Sequence, residues 1–433
     1  MFICDNIDRD SSGGLTFAGC SVKSLAARFG TPLYLMDEDK IRQNCRSILG
    51  AVKKYFGDAG GVLYAGKAAS FTRMIAIAAE EGLGLDVVSS GEIYTALKAG
   101  ADMGNAFFHG NCKTDRDIAC AMDSGVGYFV VDCEDELYAL EEEAKRRDTV
   151  QKILLRITPG IDPHTFKAVA TGVVDSKFGC AIQTGAALDM TEKALSCPHL
   201  SLEGFHCHVG SQIFLREVFT DTAAIMIGFM ISVREKTGYA ARILDLGGGF
   251  GVRYVQDDPD IDIPSFIEAT AQKIITLCDD GNYPLPRVML EPGRSIVADA
   301  GMSVYTVGAV KDIEGYRRYA AVDGGMTDNP RYALYGSAYT VLAEKEIPGE
   351  QMTRCDLVGR CCESGDIIQK DVPLPSSLKR WDLVAVCTTG AYNYSMASNY
   401  NRLGRPPVVM LTGGESYEAV RRETDEDLTA LDL

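Results

Sequence analysis

Between residues 63 and 291 the sequence repeats one pattern eight times: a short apolar run of β-forming residues, a small polar turn, and a stretch with helical spacing. The runs fall at 62–65, 85–88, 106–109, 128–131, 153–157, 204–208, 243–246 and 288–291. Strands that alternate with helices are joined by crossovers and so lie parallel, and eight such units predict a closed (β/α)8 barrel of the TIM type. The intervening stretches carry helix signals. Phe71, Met74, Ile75, Ala78 and Ala79 share a face after Ser70, the expected N-cap, and Gly82 stops the run. Ser90 is the expected cap of a helix bearing Ile93, Ala96 and Leu97, and Thr114 with Asp117 predicts a capping box.

From Met302 onward the texture changes to β-rich runs at 302–310, 316–322, 356–360 and 382–387, separated by Gly and Pro. The fold class is therefore α/β, a barrel followed by a second, all-β domain to which the N-terminal segment is free to add strands. The expected division is a barrel over 36–295 and a β domain made of 1–35 plus 296–433. A chain of 433 residues is long enough for both.

The formal charge is −17, from 43 basic and 60 acidic residues, with no basic block, which argues against nucleic acid and anionic membranes as partners. The longest apolar runs fall well short of the about 20 residues that span a bilayer. Met1 to Asp10 lacks the basic and then apolar layout of an export signal, so a cytoplasmic enzyme is expected. Of the 14 cysteines no two lie three apart, which removes the C-x-x-C zinc and thioredoxin patterns; most read as reduced thiols filling space. No metal is expected.

Active sites of this barrel form at the C-terminal ends of the strands. The polar residues there are Lys67, Asp86 with Ser89, His109, Asp132, Arg156, His208, the Gly247-Gly248-Gly249 run, and Glu291 with Arg294. Lys67 lies among small residues; a lysine sheltered in a barrel mouth can lose its proton and attack an aldehyde cofactor, although a solvated charge is the commoner role. Gly247-Gly248-Gly249-Phe250-Gly251 offers unblocked amides to a phosphate or makes a tight turn, and Val252 breaks any dinucleotide fingerprint. His208-Val209-Gly210-Ser211 places an imidazole to stack on a flat ring and a hydroxyl to reach a phosphate. His206, two residues earlier on the same side, lacks a third ligand of metal spacing. Glu291-Pro292-Gly293-Arg294 joins a carboxylate suited to a pyridine nitrogen and a guanidinium suited to a carboxylate, or forms a salt-bridged corner. In the β domain, Arg331 and Tyr335 share a face if helical. Cys361-Cys362-Glu363-Ser364-Gly365-Asp366 reads as a loop with thiols beside carboxylates, and Gly390-Ala391-Tyr392 as an aromatic segment packed on something flat.

Taken in order, Tyr64-Ala65-Gly66-Lys67, His208 to Gln212, Gly247 to Phe250, Glu291 to Arg294, Cys362 to Asp366 and Gly390 to Tyr392 resemble the diaminopimelate decarboxylases, pyridoxal phosphate (PLP) enzymes with an alanine-racemase-like barrel and a β domain. The resemblance covers nearly the whole chain. It implies that Lys67 holds PLP covalently, that His208 stacks on its ring, and that Ser211, Gly249, Glu291, Pro292, Gly293, Arg294 and Tyr392 bind it, with Glu291 opposite the pyridine nitrogen. It implies substrate contacts at Arg294, Arg331, Tyr335, Glu363 and Tyr392, and a proton donor at Cys362. It further implies a homodimer whose partner supplies the cysteine and glutamate. The implied reaction is decarboxylation of meso-2,6-diaminopimelate to L-lysine, the final step of lysine biosynthesis. Alternatives on related scaffolds are decarboxylases of ornithine, arginine or carboxynorspermidine, alanine racemase, and a non-catalytic PLP-binding protein. Two departures stand out: Ala69 where many relatives have Asn, and Cys361, which doubles the cysteine before Glu363.

Overall fold

Closure of the barrel follows from the pairing of its strands. The computed structural model describes residues 2–161, 172 and 174–433. Eight parallel strands run β1 (Gly60–Ala65), β2 (Gly84–Val87), β3 (Ala106–Phe108), β4 (Tyr128–Val131), β5 (Gln151–Thr158), β6 (Leu200–His206), β7 (Ile243–Asp245) and β8 (Arg287–Leu290). Each pairs with the next, and β8 returns to β1 through Leu290 opposite Val62. Seven of the intervals carry the expected helices. Thr114 and Asp117 form their capping box. Two caps differ from expectation. The oxygen that accepts the Glu92 N–H belongs to Ser89, because its extended backbone, φ −153°, aims the side chain back over the first turn while Ser90 is already helical. Likewise the helix Thr72–Glu80 begins after an extended Phe71, not at Ser70.

The interior of the barrel is built in two layers by the period-two alternation of strands. The lower layer is apolar: Leu63, Phe107, Val130, Leu154, Ile243 and Met289 from six strands form one buried cluster. The other two strands place glycine at this level, Gly84 opposite Leu63 and Gly204 opposite Ile243. A Cβ on Gly84 would stand 2.6 Å from Leu63 Cδ2, so the larger neighbours have taken that space. Two residues further along every strand comes the second layer: Ala65, Asp86, His109, Asp132, Arg156, His206, Asp245 and Glu291, all buried. Seven of these eight are titratable, which no packing requirement explains.

The chain divides into two compact units, Asn44–Gly251 with Ile261–Ser295, and Met1–Gln43 with Val252–Asp260 and Ile296–Leu433. The β unit thus claims the stretch 252–260 that the sequence assigns to the barrel, and its N-terminal share runs to Gln43 rather than to residue 35. Its large sheet runs Ile367–Pro375, Met352–Val358, Arg317–Val322, Gly301–Ile313, Leu33–Asp37, Val408–Thr412, Glu415–Val420, with Leu383–Cys387 branching from Gly301–Ile313 and Val341–Ala343 paired to Leu383–Cys387. Leu33–Asp37 is an interior strand, antiparallel to Gly301–Ile313 and parallel to Val408–Thr412. Its Leu33 and Leu35 join Leu15, Phe17, Val304 and Val409 in the core of this unit.

Candidate active site

Lys67 sits in the single turn Gly66–Ala68 that follows β1, and its Nζ lies 2.7 Å from Asp86 Oδ2 in the polar layer. The lysine is nearly half exposed while Asp86 is buried, so the amine stands at the mouth of the barrel on a shielded carboxylate. Glu92, which accepts the Val88 N–H at 2.7 Å, lies beside them, its carboxyl pushed up to about 7 by burial and by Asp86.

On the other side of the layer, Glu291 is flanked by two histidines: Oε2 accepts from His206 Nε2 at 3.1 Å and Oε1 lies 2.7 Å from His109 Nε2. Burial alone would raise the pKa of Glu291, but the two imidazoles outweigh it and hold the group well below the usual carboxylate range. Burial lowers His206 to about 4, so it is a neutral donor. Asp245 is driven the other way, its pKa raised by burial and by Glu291, while its Oδ1 accepts the Gly247 N–H at 2.9 Å. The third group that spacing alone does not reveal beside His206 is therefore present: His109, His206 and Glu291 each bring a ligating atom within 4.8 Å of the others. At 2.7 and 3.1 Å these atoms are in direct contact.

The glycine run is clasped from both sides. Gly247 and Gly249 adopt φ +67° and +107°, a region open to glycine, and a Cβ on Gly248 would stand 2.2 Å from the Glu291 carbonyl oxygen. Gly248 N–H donates to His208 Nδ1 at 3.2 Å, which leaves the ring proton on Nε2. Burial, then Lys67, keep His208 well below its ordinary pKa and hence neutral. Arg294, buried, aims Nε and Nη2 at Ser211 Oγ, 3.2 and 3.0 Å away, and Gly293 packs where a Cβ would meet that of Ala65 at 2.9 Å. Pro292 lies between Glu291 and this glycine, and its carbonyl accepts the Ala65 N–H.

In the β unit, the short helix Arg331–Tyr335 turns the buried Arg331 guanidinium toward two rings, 5.3 Å from the centroid of Tyr335 and 5.2 Å from that of Tyr392. Tyr392 holds φ +66°. The two adjacent cysteines are unlike. Cys361 is buried, its thiol pushed up to about 12 by burial and Asp366, whereas Cys362 and Glu363 are exposed at the tip of a loop. Asp366 braces that loop by accepting the N–H groups of Met326 at 2.6 Å and Cys361 at 2.7 Å. Asp245 and Glu92 are members of the barrel site that motif reading passes over, while His206 is read there only beside His208; the signal for Asp245 is that it lies two residues past the interior apolar Ile243.

A mouth lysine, a cradle of glycine amides, a neutral imidazole and a shielded carboxylate define a site for a phosphorylated aldehyde with a ring nitrogen. Glu291 Oε1 is buried with no aligned hydrogen-bond donor among the described residues, which suits it to an incoming ring N–H. The residues present fit PLP. Residues 38–298 match the family "pyridoxal-dependent decarboxylase, pyridoxal binding domain", and the chain belongs to that family. Diaminopimelate decarboxylase of Bacillus subtilis (strain 168) is 41% identical over 100% of this chain and 98% of its own, and that of Staphylococcus aureus (strain COL) is 41% identical over 96% of each. Among solved structures, the diaminopimelate decarboxylase of M. jannaschii in co-complex with L-lysine superposes with a TM-score of 0.93 at 30% identity, covering 100% of this chain and 99% of that one. The lysine/ornithine decarboxylase of Vibrio vulnificus complexed with cadaverine reaches a TM-score of 0.78 at 26% identity, over 90% and 97% of the two chains.

Proposed function

We propose that this chain decarboxylates meso-2,6-diaminopimelate to L-lysine and CO2 with PLP, the closing step of lysine biosynthesis. The observation that carries the reading is the conjunction, in one barrel mouth, of Lys67 on Asp86 and of Glu291 between His109 and His206. The 41% identity to a diaminopimelate decarboxylase over the whole chain selects the substrate. PLP, when bound, supplies a ring that accepts the electron pair left behind by departing CO2.

The chain's own residues do the rest. Lys67, its amine at the barrel mouth on Asp86, would hold the cofactor. Glu291 would keep the proton on the ring nitrogen, and His208 would lie against the ring. The amides around Gly249, with Ser211 and the turn Pro292-Gly293-Arg294, hold the phosphate. Arg331, Arg294, Tyr335 and Tyr392 receive the substrate, whose far end carries a carboxylate and an ammonium; the guanidinium fork suits the first and Glu363 the second. The exposed Cys362 thiol returns a proton to the carbon that lost CO2, and its exposure together with that of Glu363 is what a loop reaching into a second subunit requires. The working form is accordingly a homodimer in which Cys362 of the partner subunit completes each site. Among the described residues no helix is long and apolar enough to cross a membrane, in keeping with action in the cytoplasm.

Steady-state rates with meso-diaminopimelate, ornithine and arginine test the proposal. A kcat/KM at least a hundredfold higher for the first is expected, because the other two leave a carboxylate-binding guanidinium unpaired. Preference for ornithine or arginine would replace the substrate, and a protein that takes up no PLP would end the reading.

A further inference from the structure

His109 stands between carboxylates that serve opposite ends of the cofactor site. Its Nε2 is 2.7 Å from Glu291 Oε1 and 3.9 Å from Asp86 Oδ1. The second oxygen of Asp86 holds Lys67 Nζ at 2.7 Å, and the second oxygen of Glu291 holds His206 Nε2 at 3.1 Å. The groups form one line, Lys67–Asp86–His109–Glu291–His206, and past Lys67 no side chain in it is more than 6% exposed. At its centre three buried atoms, Asp86 Oδ1, His109 Nε2 and Glu291 Oε1, lack an aligned hydrogen-bond partner among the described residues. One N–H is well aligned on only one of two such oxygens at a time, and in a buried layer with unmade hydrogen bonds a small change of charge can redirect the donor.

We propose that His109 is a positioning residue that couples the two ends of the cofactor site, turning its Nε2–H between Glu291 and Asp86 according to whether Lys67 sits on Asp86. The proposal rests on the PLP reading of the site. With the Lys67 ammonium in place, Asp86 is neutralised and the His109 N–H leans toward Glu291, the nearer oxygen. When the amine is engaged elsewhere, Asp86 becomes a bare anion in a layer closed to water and draws that N–H across. Glu291 then keeps His206 and presents Oε1 unencumbered to the ring nitrogen. No proton leaves the imidazole; only its acceptor changes. The ring of His206 packs edge-on against His109 with centroids 4.8 Å apart, which leaves a tilt rather than a flip as the available motion. The other titratable groups that face His109 are Glu92 and Asp132, the latter with Arg156 Nε 4.0 Å from its Oδ1. Arg156 and Asp245 also feel the charges of both Asp86 and Glu291, but His109 brings a single N–H within 4 Å of an oxygen of each.

A double-mutant cycle read by spectroscopy separates this role from a structural one. The holoenzyme is loaded with PLP labelled with 15N at the ring, and the ring-nitrogen shift is followed in wild type, Asp86→Asn, His109→Phe and the double variant. The visible-band titration of bound PLP and its dissociation constant are followed in parallel. Asp86→Asn is expected to move the ring-nitrogen signal although Asp86 belongs to the lysine end, and that movement is expected to vanish in the His109→Phe background. The dissociation constant should rise roughly tenfold in His109→Phe, as for loss of one hydrogen bond to a charged group, and His109→Gln, which keeps a donor, should restore most of it. Additive effects, or an unmoved ring-nitrogen signal in Asp86→Asn, overturn the coupling. If His109→Phe does not fold, the cycle run with His109→Gln decides, since a tethered amide donor cannot swing with the same reach and the coupling must fall. Failure of the PLP reading looks different: the wild type takes up no cofactor, or Lys67→Ala keeps the visible band.

Discussion

Replacing Lys113 by methionine removes one buried charge and little volume. The Lys113 side chain is 1% exposed and its three N–H groups meet three acceptors: Gly110 O at 2.9 Å, Val130 O at 2.8 Å and Glu136 Oε1 at 2.8 Å. Glu136 is 3% exposed, and its other oxygen accepts the Asp132 N–H at 3.4 Å. The methionine variant therefore strands a carboxylate beneath the rim of the barrel. Breaking a buried pair from one side costs about 3–5 kcal/mol, against a total stability on the order of 5–15 kcal/mol. Burial already holds the Glu136 pKa above its ordinary value with Lys113 present, and losing the ammonium moves it further up. A carboxyl whose folded pKa is raised weakens the fold as pH climbs past its unfolded value of about 4.3, so the deficit should be full near neutrality and shrink on acidification toward pH 4. Urea unfolding followed by circular dichroism at several pH values measures this, with Lys113→Met/Glu136→Leu expected to recover most of the loss. A deficit below about 1 kcal/mol at pH 7, or one that grows in acid, would refute the argument.

Three further outcomes rest on the same structure. Gly248→Ala puts a methyl 2.2 Å from a backbone oxygen that no rotamer can move, so PLP affinity should drop roughly tenfold or more and the unfolding midpoint by several degrees, as fluorescence titration and calorimetry would report. Cys362→Ala should cut turnover by about 10²-fold or more with PLP binding intact, whereas Cys361→Ala should lower stability by about 1 kcal/mol and spare turnover; the reverse pattern would move the proton donor to Cys361. Asp328, which accepts from Tyr305 Oη and the Gly325 N–H, has its carboxyl pushed up to about 7 by burial. Its ionisation therefore erodes stability as pH rises from about 4 toward 7. Asp328→Asn should flatten that part of the profile, and an unchanged slope in thermal melts would contradict the assignment.

The barrel was legible because its signal is local. Each strand is a short β-forming run ended by small or polar residues, and each helix declares itself within a dozen positions. The layer that makes the site was half legible. Asp86, His109, Asp132, Arg156 and Glu291 can be listed strand by strand, but which of them meet depends on closure. His206 is a near neighbour of His208 in sequence, so alternation along one strand pairs those two; closure sets His206 against Glu291 from β8 and His109 from the end of β3 instead. The buried pair Lys113–Glu136 was illegible for a related reason: a lysine and a glutamate in adjacent turns look solvated until the barrel closes over them. In the β unit the hairpin runs could be read, while the place of Leu33–Asp37 between two strands from much later in the chain could not, since partners that distant leave no periodic trace.

That interior strand also sets the order in which the molecule can be completed. Tyr34 lies opposite Ser303 on one side and Val408 on the other. During synthesis the ribosome must therefore deliver the entire barrel and most of the β unit before the second edge of Leu33–Asp37 finds its ladder. Until then a strand of five buried residues waits with open backbone groups, a template for any passing edge. Chaperone dependence and losses to aggregation during overexpression should accordingly track the last strands to emerge, and chains stopped short of Val408–Thr412 should be the fraction that precipitates.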